Sequence, residues 1–346
     1  DGNKVAKNLD VGRRNKILIN NGQAKFKAVE NGGLEGHTDP STCACFFDYN
    51  LDGHLDLFIG NWYRSYGWSL DGVVDRLYRG RGDGSFEDGT QEAGLLTDNK
   101  AGLPNSSKPT YGVVAGDWDQ DGDDDLFVCS YGRRWNLQWR NNGDGSFTQV
   151  SASTSFDGDS IRSGHYPEIV KRKGEQAFRS NGNSFDCALA DYDNDGDLDA
   201  FIGEITHWWA GSSSDPSMLL ENQGAAEAFR FERQTQVGIF KQHQVERWNQ
   251  GDIHVSWCDI DGNGYEDLLI SSGDYPDDQR LRIYSQEEKG RFNELAKTAL
   301  DWPSSCAPSI GDINNDGAPD ILLGRSVFRL KKERVKEIGK QLAIWE

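Results

Sequence analysis

The sequence contains no run approaching the ~18 consecutive apolar residues that a membrane-spanning helix requires, and before its last twenty residues it has few helix-forming stretches of amphipathic period. The first absence removes a helical membrane anchor from these 346 residues, and the second removes an all-helical fold. Positive charge is scarce as well: 37 Lys and Arg stand against 56 Asp and Glu, for a net charge of −19. Binding to a phosphate backbone rests on clustered cations, so nucleic acid is not expected as a partner. Paired CxxC spacing is missing too, which excludes the usual zinc sites. Cys43, Cys45, Cys129, Cys187, Cys258 and Cys306 are scattered, and most occupy places where sister segments carry Val or Ala. They read as small buried hydrophobes, with disulfides left open by their even number. No secretory leader is expected within these residues, and a chain that starts at Asp1 without Met is expected to be processed or partial.

What the chain does have is Gly, Asp and Asn punctuating short runs of Val, Ile, Leu, Phe and Tyr, the pattern of many short strands joined by turns. One such punctuation, "DYDNDGDLDAFIG" from Asp191, looks like half of an EF-hand loop. An EF-hand closes with a bidentate Glu at position 12. Here position 12 is Ile202, the last carboxylate comes at position 9, and an apolar β-prone run follows, so the loop leads into a strand. The segment recurs as "DYNLDGHLDLFIG" from Asp48, "DWDQDGDDDLFVC" from Asp117, "DIDGNGYEDLLIS" from Asp259 and "DINNDGAPDILLG" from Asp312. Each copy has oxygen side chains at positions 1, 3, 5 and 9 and an apolar residue at 12. Midway through each unit a second signature, such as "RLYRGRGDGSFEDG" or "LQWRNNGDGSFTQV", reads as strand, turn, strand. One unit is therefore strand, acidic loop, strand, variable loop, strand, turn, strand. That is a four-stranded sheet of the kind found in propeller blades.

These loops, with "DLFIG" after them and "NNGDGSF" hairpins beyond, resemble the FG-GAP/VCBS repeats of integrin α-subunit heads, the cartilage acidic protein family and many secreted bacterial proteins. The resemblance runs from about Asn15 to Gly324 and implies an all-β, calcium-decorated β-propeller, usually of seven blades. Five acidic loops are visible here, and the N-terminal hairpin has no loop of its own. Either that hairpin closes the Asp312 blade, or one or two blades are missing. The expected organisation is a propeller over 1–325 and a basic tail over 326–346.

Alternating carboxylates on a tight loop converge at the distance that calcium prefers. The expected ligands, by positions 1, 3, 5, 7 and 9, are Asp48, Asn50, Asp52, His54 and Asp56, then Asp117, Asp119, Asp121, Asp123 and Asp125, and then Asp191, Asp193, Asp195, Asp197 and Asp199. The last two loops supply Asp259, Asp261, Asn263, Tyr265 and Asp267, and Asp312, Asn314, Asp316, Ala318 and Asp320, with position 7 contributing its backbone carbonyl. About five structural Ca2+ ions are expected, in a calcium-rich extracellular or cell-surface setting. The blander alternative is a set of solvated Asp-rich turns.

Function in a repeat scaffold usually sits in its variable loops. The loop after each post-acidic strand carries aromatics at one equivalent position, which names Trp62, Tyr63, Tyr66, Trp68, Tyr131, Trp135, Trp208, Trp209 and Tyr275, with Arg64, Arg133, Arg134 and His207 beside them. Exposed on one face, such rings suit sugars, and the arginines suit carboxylate or sulfate. Packed between blades, they would be structural. Arg81-Gly82-Asp83 spells an adhesion tripeptide, but its Asp-Gly aligns with the turn at Asp144 and belongs to the hairpin. Three functions follow: a binding module for glycan or protein, a lyase that cleaves uronate polymers by β-elimination, and a subunit of an extracellular assembly. The lyase reading needs a Tyr or His base beside an Arg, and His165, Tyr166, His207, His254 and Arg133 are the available parts. No motif orders them, so the expectation leans away from an enzyme. The tail carries Phe328, Val335, Ile338 and Leu342 at near-helical spacing, and fits either a docked helix or strands finishing the last blade.

Overall fold

The computed structural model describes residues 14–23, 25–30, 32–66, 72–96, 107–157, 182–207, 215–239, 249–272, 280–295, 305–325 and 342–345. Two compact units emerge, Asp1–Ser153 and Thr154–Glu346.

The first unit opens with a two-stranded hairpin, β1 (Leu18–Asn20) and β2 (Phe26–Ala28). Two four-stranded antiparallel meanders follow. Repeat 1 is β3 (Ser41–Phe47), β4 (Asp56–Asn61), β5 (Arg76–Gly80) and β6 (Phe86–Asp88), hydrogen-bonded in that order. Repeat 2 is β7 (Thr110–Gly116), β8 (Asp125–Ser130), β9 (Leu137–Asn141) and β10 (Phe147–Gln149). In each repeat the acidic loop joins the first strand to the second, as the sequence pattern requires.

The second unit repeats the plan. Repeat 3 holds β11 (Ser184–Ala190), β12 (Asp199–His207), β13 (Met218–Asn222) and β14 (Phe231–Gln234). Repeat 4 holds β15 (Asn249–Cys258), β16 (Asp267–Ser272), β17 (Leu281–Glu288) and β18 (Arg291–Glu294). β12 and β15 are longer than their counterparts, and their extra residues pair Ile205–His207 with Asn249–Gly251, which joins both meanders into one eight-stranded sheet. Repeat 5 has β19 (Ser305–Gly311), β20 (Asp320–Arg325) and β21 (Leu342–Trp345). β21 comes from the basic tail, so over Leu342–Trp345 the strand alternative replaces the helix. The remainder of the tail, with Phe328, Val335 and Ile338, lies outside the described residues.

The second strand of each repeat explains the apolar position 12. β4, β8 and β16 are buried along their whole length, and Ile59, Val128, Ile202, Ile270 and Leu323 are all in the core. Alternation is lost because both faces of these strands are covered. In the first unit, Phe47, Tyr49, Phe58 and Leu77 of repeat 1 pack against Leu126, Val128, Leu137 and Trp139 of repeat 2. In the second unit, Tyr192, Phe201 and Leu219 of repeat 3 meet Val255, Leu268, Ile270 and Tyr284 of repeat 4. Each fully buried Leu or Phe contributes about 1.5–3 kcal/mol, so stability resides in the contacts between repeats. The first strands share one irregularity, a register shift between Ser41 and Cys43, Thr110 and Gly112, Ser184 and Asp186, Asp252 and His254, and Cys306 and Pro308. A β-bulge at one place in five copies is a designed bend of the unit. Cys45, Cys187 and Cys258 are free thiols, and Cys129 and Cys187 are buried.

Candidate functional site

The acidic loops are wired alike in all five repeats. The position-1 carboxylate accepts the backbone N–H of positions 5 and 6: Asp48 from Asp52 (3.1 Å) and Gly53 (2.8 Å), and Asp191 from Asp195 and Gly196 (both 2.9 Å). Asp117, Asp259 and Asp312 do the same. The position-9 carboxylate is buried and ties two strands. One oxygen accepts the N–H of position 2, and in repeats 1 to 4 the other accepts a 2.7 Å bond from the end of the third strand, at Gly80, Asn141, Asn222 and Gln286. Asp56, Asp125, Asp199 and Asp267 are therefore struts of the fold as well as candidate ligands. The tight loop also needs a left-handed residue at position 4. Leu51, Gln120, Asn194, Gly262 and Asn315 all have φ between 55° and 73°.

Once the loop is closed, carboxylates from positions 1, 3 and 9 come together. Asp117, Asp119 and Asp125, then Asp191, Asp193 and Asp199, and then Asp259, Asp261 and Asp267 each present ligand oxygens within 4.8 Å of one another. The Asp48 and Asp312 loops carry Asn50 and Asn314 at position 3, which leaves two carboxylates and an amide. Position 5 (Asp52, Asp121, Asp195, Asn263, Asp316) stands outside these triads. At position 7 the side chains of His54 and Asp123 lie over the outer hairpin turn of their own repeat, where a Cβ at Gly82 or Gly143 would come within 2.6 or 2.8 Å. Tyr265 and Ala318 complete that position.

The triads fit a divalent cation on electrostatic grounds. Buried oxygens of Asp119, Asp193 and Asp197 have no hydrogen-bond partner. Burial, reinforced by neighbouring Asp charges, pushes Asp119 up to about 6, Asp197 to about 7, Asp125 to about 8 and Asp199 to about 9. Backbone N–H donors to Asp125 and Asp199 oppose this without winning. Such a loop without a cation holds protons it would otherwise release. A hard dication with several carboxylate oxygens removes the penalty.

A second constellation lies in the first unit, at the other end of the strands from the acidic loops. Trp62, Tyr63 and Tyr66 after β4, Tyr111 on β7 and Tyr131 after β8 form one cluster. Trp62 stacks on Tyr66 (6.0 Å, 21°) and lies 5.1 Å from Tyr131 and 5.5 Å from Tyr111. Trp62 and Tyr131 are anchored alike, each N–H bonded to the carbonyl of a proline, Pro40 or Pro109. Gly132 has φ +79°, and any side chain there would strike the Tyr63 hydroxyl. The cluster is not the fully exposed ring that the sequence suggests. Tyr66 is 51% exposed and Arg64 is open, whereas Tyr63 and Arg133 are each 4% exposed. Arg134 and Trp135 are half-buried. In the second unit His207 is buried at 8%. Trp68, Trp208, Trp209, Tyr275, His165 and Tyr166 lie outside the described residues.

Sequence reading missed Tyr111, which sits in a strand rather than a variable loop, and the buried groups beneath the cluster. Lys108 lies 4.4 Å over the Trp135 ring. Burial and then the charge of Arg134 bring its ammonium down to about 7, against the pull of Asp75. Asp75 itself is pushed well up by burial while accepting bonds from Thr110 Oγ1 and the Asn61 N–H, both at 2.7 Å. In the second unit Glu204, likewise pushed well up by burial, accepts a bond from Ser184 Oγ. His254 Nδ1 stands 3.5 Å from Asp186 across adjacent first strands.

The FG-GAP-like repeat family matches residues 48–128 and 259–323, which takes in four of the five acidic loops. The chain is thus a repeat-containing, mostly β-sheet protein with FG-GAP-like repeats. No curated protein sequence matches the chain. Among solved structures, the V. cholerae biofilm matrix protein Bap1 is similar over 85% of this chain and 36% of its own, at 12% identity and TM-score 0.39. An N-acetylgalactosamine deacetylase from F. plautii is similar over 90% and 84%, at 10% identity and TM-score 0.43. A GH43_1 enzyme from Xanthomonas citri complexed with xylotriose is similar over 83% and 82%, at 11% identity and TM-score 0.38. No residue role is carried over from any of them. No helix among the described residues is long and apolar enough to cross a membrane.

The leaning away from an enzyme is corrected. It rested on ionisable groups that no motif orders, and the folded chain gathers three Asp groups that could hold a metal ion. Enzymatic potential takes the place of that expectation.

Proposed function

We propose that the chain is an extracellular, calcium-stabilised propeller of FG-GAP-type blades that grips and cleaves acidic polysaccharide at the Trp62 cluster. The single observation that carries this reading is the gathering of five rings from three segments, with Tyr66 open and Arg64 exposed beside it. Sugar rings stack their C–H faces on such platforms, and cations at the edge accept uronate carboxylate or sulfate. In this reading Trp62, Tyr66 and Tyr131 bind the polymer, Arg64 and Arg134 pair with its acid groups, and Tyr63, Arg133 and Trp135 hold the platform in shape. Trp68 is a further candidate on the same loop by sequence, and His207, Trp208, Trp209 and Tyr275 are the candidates of the second unit. The five acidic loops each hold one Ca2+, which charges no residue with chemistry but lets the carboxylates stay ionised inside the fold.

Cleavage by β-elimination needs a base for the proton beside the uronate carboxylate, a cation to neutralise that carboxylate, and a proton donor for the glycosidic oxygen as its C–O bond breaks and the C=C bond forms. The tyrosine hydroxyls of the cluster and its arginines are groups of those kinds. The test is incubation with acidic and neutral polysaccharides, following ultraviolet absorbance of unsaturated uronate and retention on each polymer. Rising absorbance that Trp62→Ala with Tyr131→Ala abolishes is expected. Retention with a flat trace would leave a carbohydrate-holding surface without cleavage, and no signal from either would overturn the proposal.

A further inference from the structure

The three Asp triads come from one loop plan, yet a lysine has entered only one of them among the ion pairs of the described residues. Lys289 Nζ lies 3.2 Å from Asp193 Oδ2, the position-3 carboxylate of the Asp191 loop. Asp193 is 5% exposed, and its other oxygen has no partner. Lys289 belongs to the next repeat, on the turn between β17 and β18.

The turn is placed independently of the lysine. Gln286, at the base of the turn, donates from Nε2 to the carbonyl of Tyr192 at 2.9 Å. Asn141 does the same in the first unit, donating from Nδ2 to the carbonyl of Tyr49 at 2.8 Å. From those anchors to Phe292 and Phe147 both turns have one length, so Lys289 stands at the register of Asp144. The Asp144 carboxylate is engaged within its own turn, by the Ser146 N–H and hydroxyl. One position thus offers an anion turned inward in the first unit and a cation reaching across to the neighbouring acidic loop in the second.

We infer that Lys289 is an internal competitor for the cation at the Asp191 site, setting its calcium affinity below that of the Asp117 and Asp259 sites. The inference rests on the metal reading of the loops. An ammonium and a dication attracted to one carboxylate repel each other, so filling the site costs the Lys289–Asp193 pair. In the cation-free protein the same pair offsets part of the repulsion among Asp191, Asp193, Asp195, Asp197 and Asp199. Lys289 is 56% exposed at its side chain and can swing to solvent when the ion enters. Asn194 Nδ2 to the Gly264 carbonyl (3.1 Å) and the Gln286 bond keep the repeats joined when it does.

The experiment is calcium titration by calorimetry of wild type, Lys289→Gln, Lys289→Arg and Arg291→Gln, with Asp193→Asn marking the heat that belongs to this site. Arg291 is the control for net charge, since it sits on the same turn paired with Glu288 at 2.8 Å. Lys289→Gln is expected to tighten the marked site about fivefold, the scale of a partly exposed ion pair, while Lys289→Arg and Arg291→Gln leave it near wild type. In chelator, melting of Lys289→Gln is expected to fall below wild type, the opposite sign to its gain in calcium. A marked site of unchanged affinity in Lys289→Gln, or an equal gain in Arg291→Gln, overturns the inference alone. The absence of any heat sensitive to Asp193→Asn overturns the metal reading and the inference with it.

Discussion

In the first unit the carboxylate of Asp75, just before β5 of repeat 1, accepts a hydrogen bond from Thr110 at the head of β7 in repeat 2 (2.7 Å). In the second unit the same two places hold Ser217 and Asp252, and the bond runs the other way, from the Ser217 hydroxyl to the Asp252 carboxylate (2.5 Å). Hydroxyl and acid have exchanged repeats while the bond between them stays. What the scaffold requires at this joint is one donor and one buried carboxylate, and either repeat can supply either. The surroundings then diverge. The second oxygen of Asp75 takes the backbone N–H of Asn61 at 2.7 Å, with Lys108 beside it, whereas that of Asp252 takes a side-chain donor, Ser272 Oγ, at 2.7 Å.

The strongest way to break the comparison is to remove a strut common to both units. Asp125→Ala in the first unit and Asp199→Ala in the second each strand two backbone N–H groups in the interior, at a cost of roughly 3 kcal/mol or more. Urea unfolding should show similar losses for the two. A loss confined to one would mean that the loops are not equivalent members of the fold.

Chelation should act nearly as strongly, and its pH dependence gives its cause. The folded-state values of Asp56, Asp119, Asp197, Asp125 and Asp199 lie at about 6, 6, 7, 8 and 9, all above the ordinary 3.8. A group raised on folding favours the folded state while protonated, so metal-free protein should lose stability as pH rises from about 4 to about 9. With calcium the carboxylates are held ionised and the trend should reverse. Melting temperatures in EGTA and in calcium at pH 5 and pH 8 would show this as a crossing pair of slopes. Parallel slopes would refute structural metal.

A finer test addresses the exchanged hydroxyl. Thr110→Ala and Ser217→Ala should each cost about 1–2 kcal/mol, because each removes a donor from a buried acid. The two losses should be similar, since the Asn61 N–H still serves Asp75 and Ser272 Oγ still serves Asp252. A loss confined to one unit would mean that the exchanged pairs are not equivalent. The smallest effect concerns position 4 of the loops, where Leu51 adopts φ 55° while 64% exposed. Leu51→Gly should stabilise by a few tenths to about 1 kcal/mol by relieving that conformation, and Gln120→Gly should do the same. Asn194 already suits the left-handed region, so Asn194→Gly should change little.

The repeat itself was legible because it is local. Asp at alternate positions, Gly at 6 and an apolar run to position 12 all lie within thirteen residues, and the strands, loops and hairpins followed from them. The carboxylate triads follow from the same spacing. What could not be read depends on neighbours distant in the chain. Nothing in "SYGRRWN" says that Arg133 turns inward while Arg134 stays half-open. Tyr111 is one aromatic in a strand until the Trp62 and Tyr131 loops close over it. The left-handed Leu51 and Gln120 carry no local signal, since neither residue type favours that region. Lys289 looks like one of many surface lysines until Gln286 fixes its turn against the Asp191 loop.

The pairing of Ile205–His207 with Asn249–Gly251 gives the second unit a mechanical character that the first lacks among its described strands. Two meanders joined by packing and scattered hydrogen bonds, with no ladder between their strands, can part under tension one after the other. A backbone ladder running from β12 into β15 must be sheared before either can leave, so a pull along the chain meets repeats 3 and 4 as one element. Under load, that sheet is the part of the second unit that yields last.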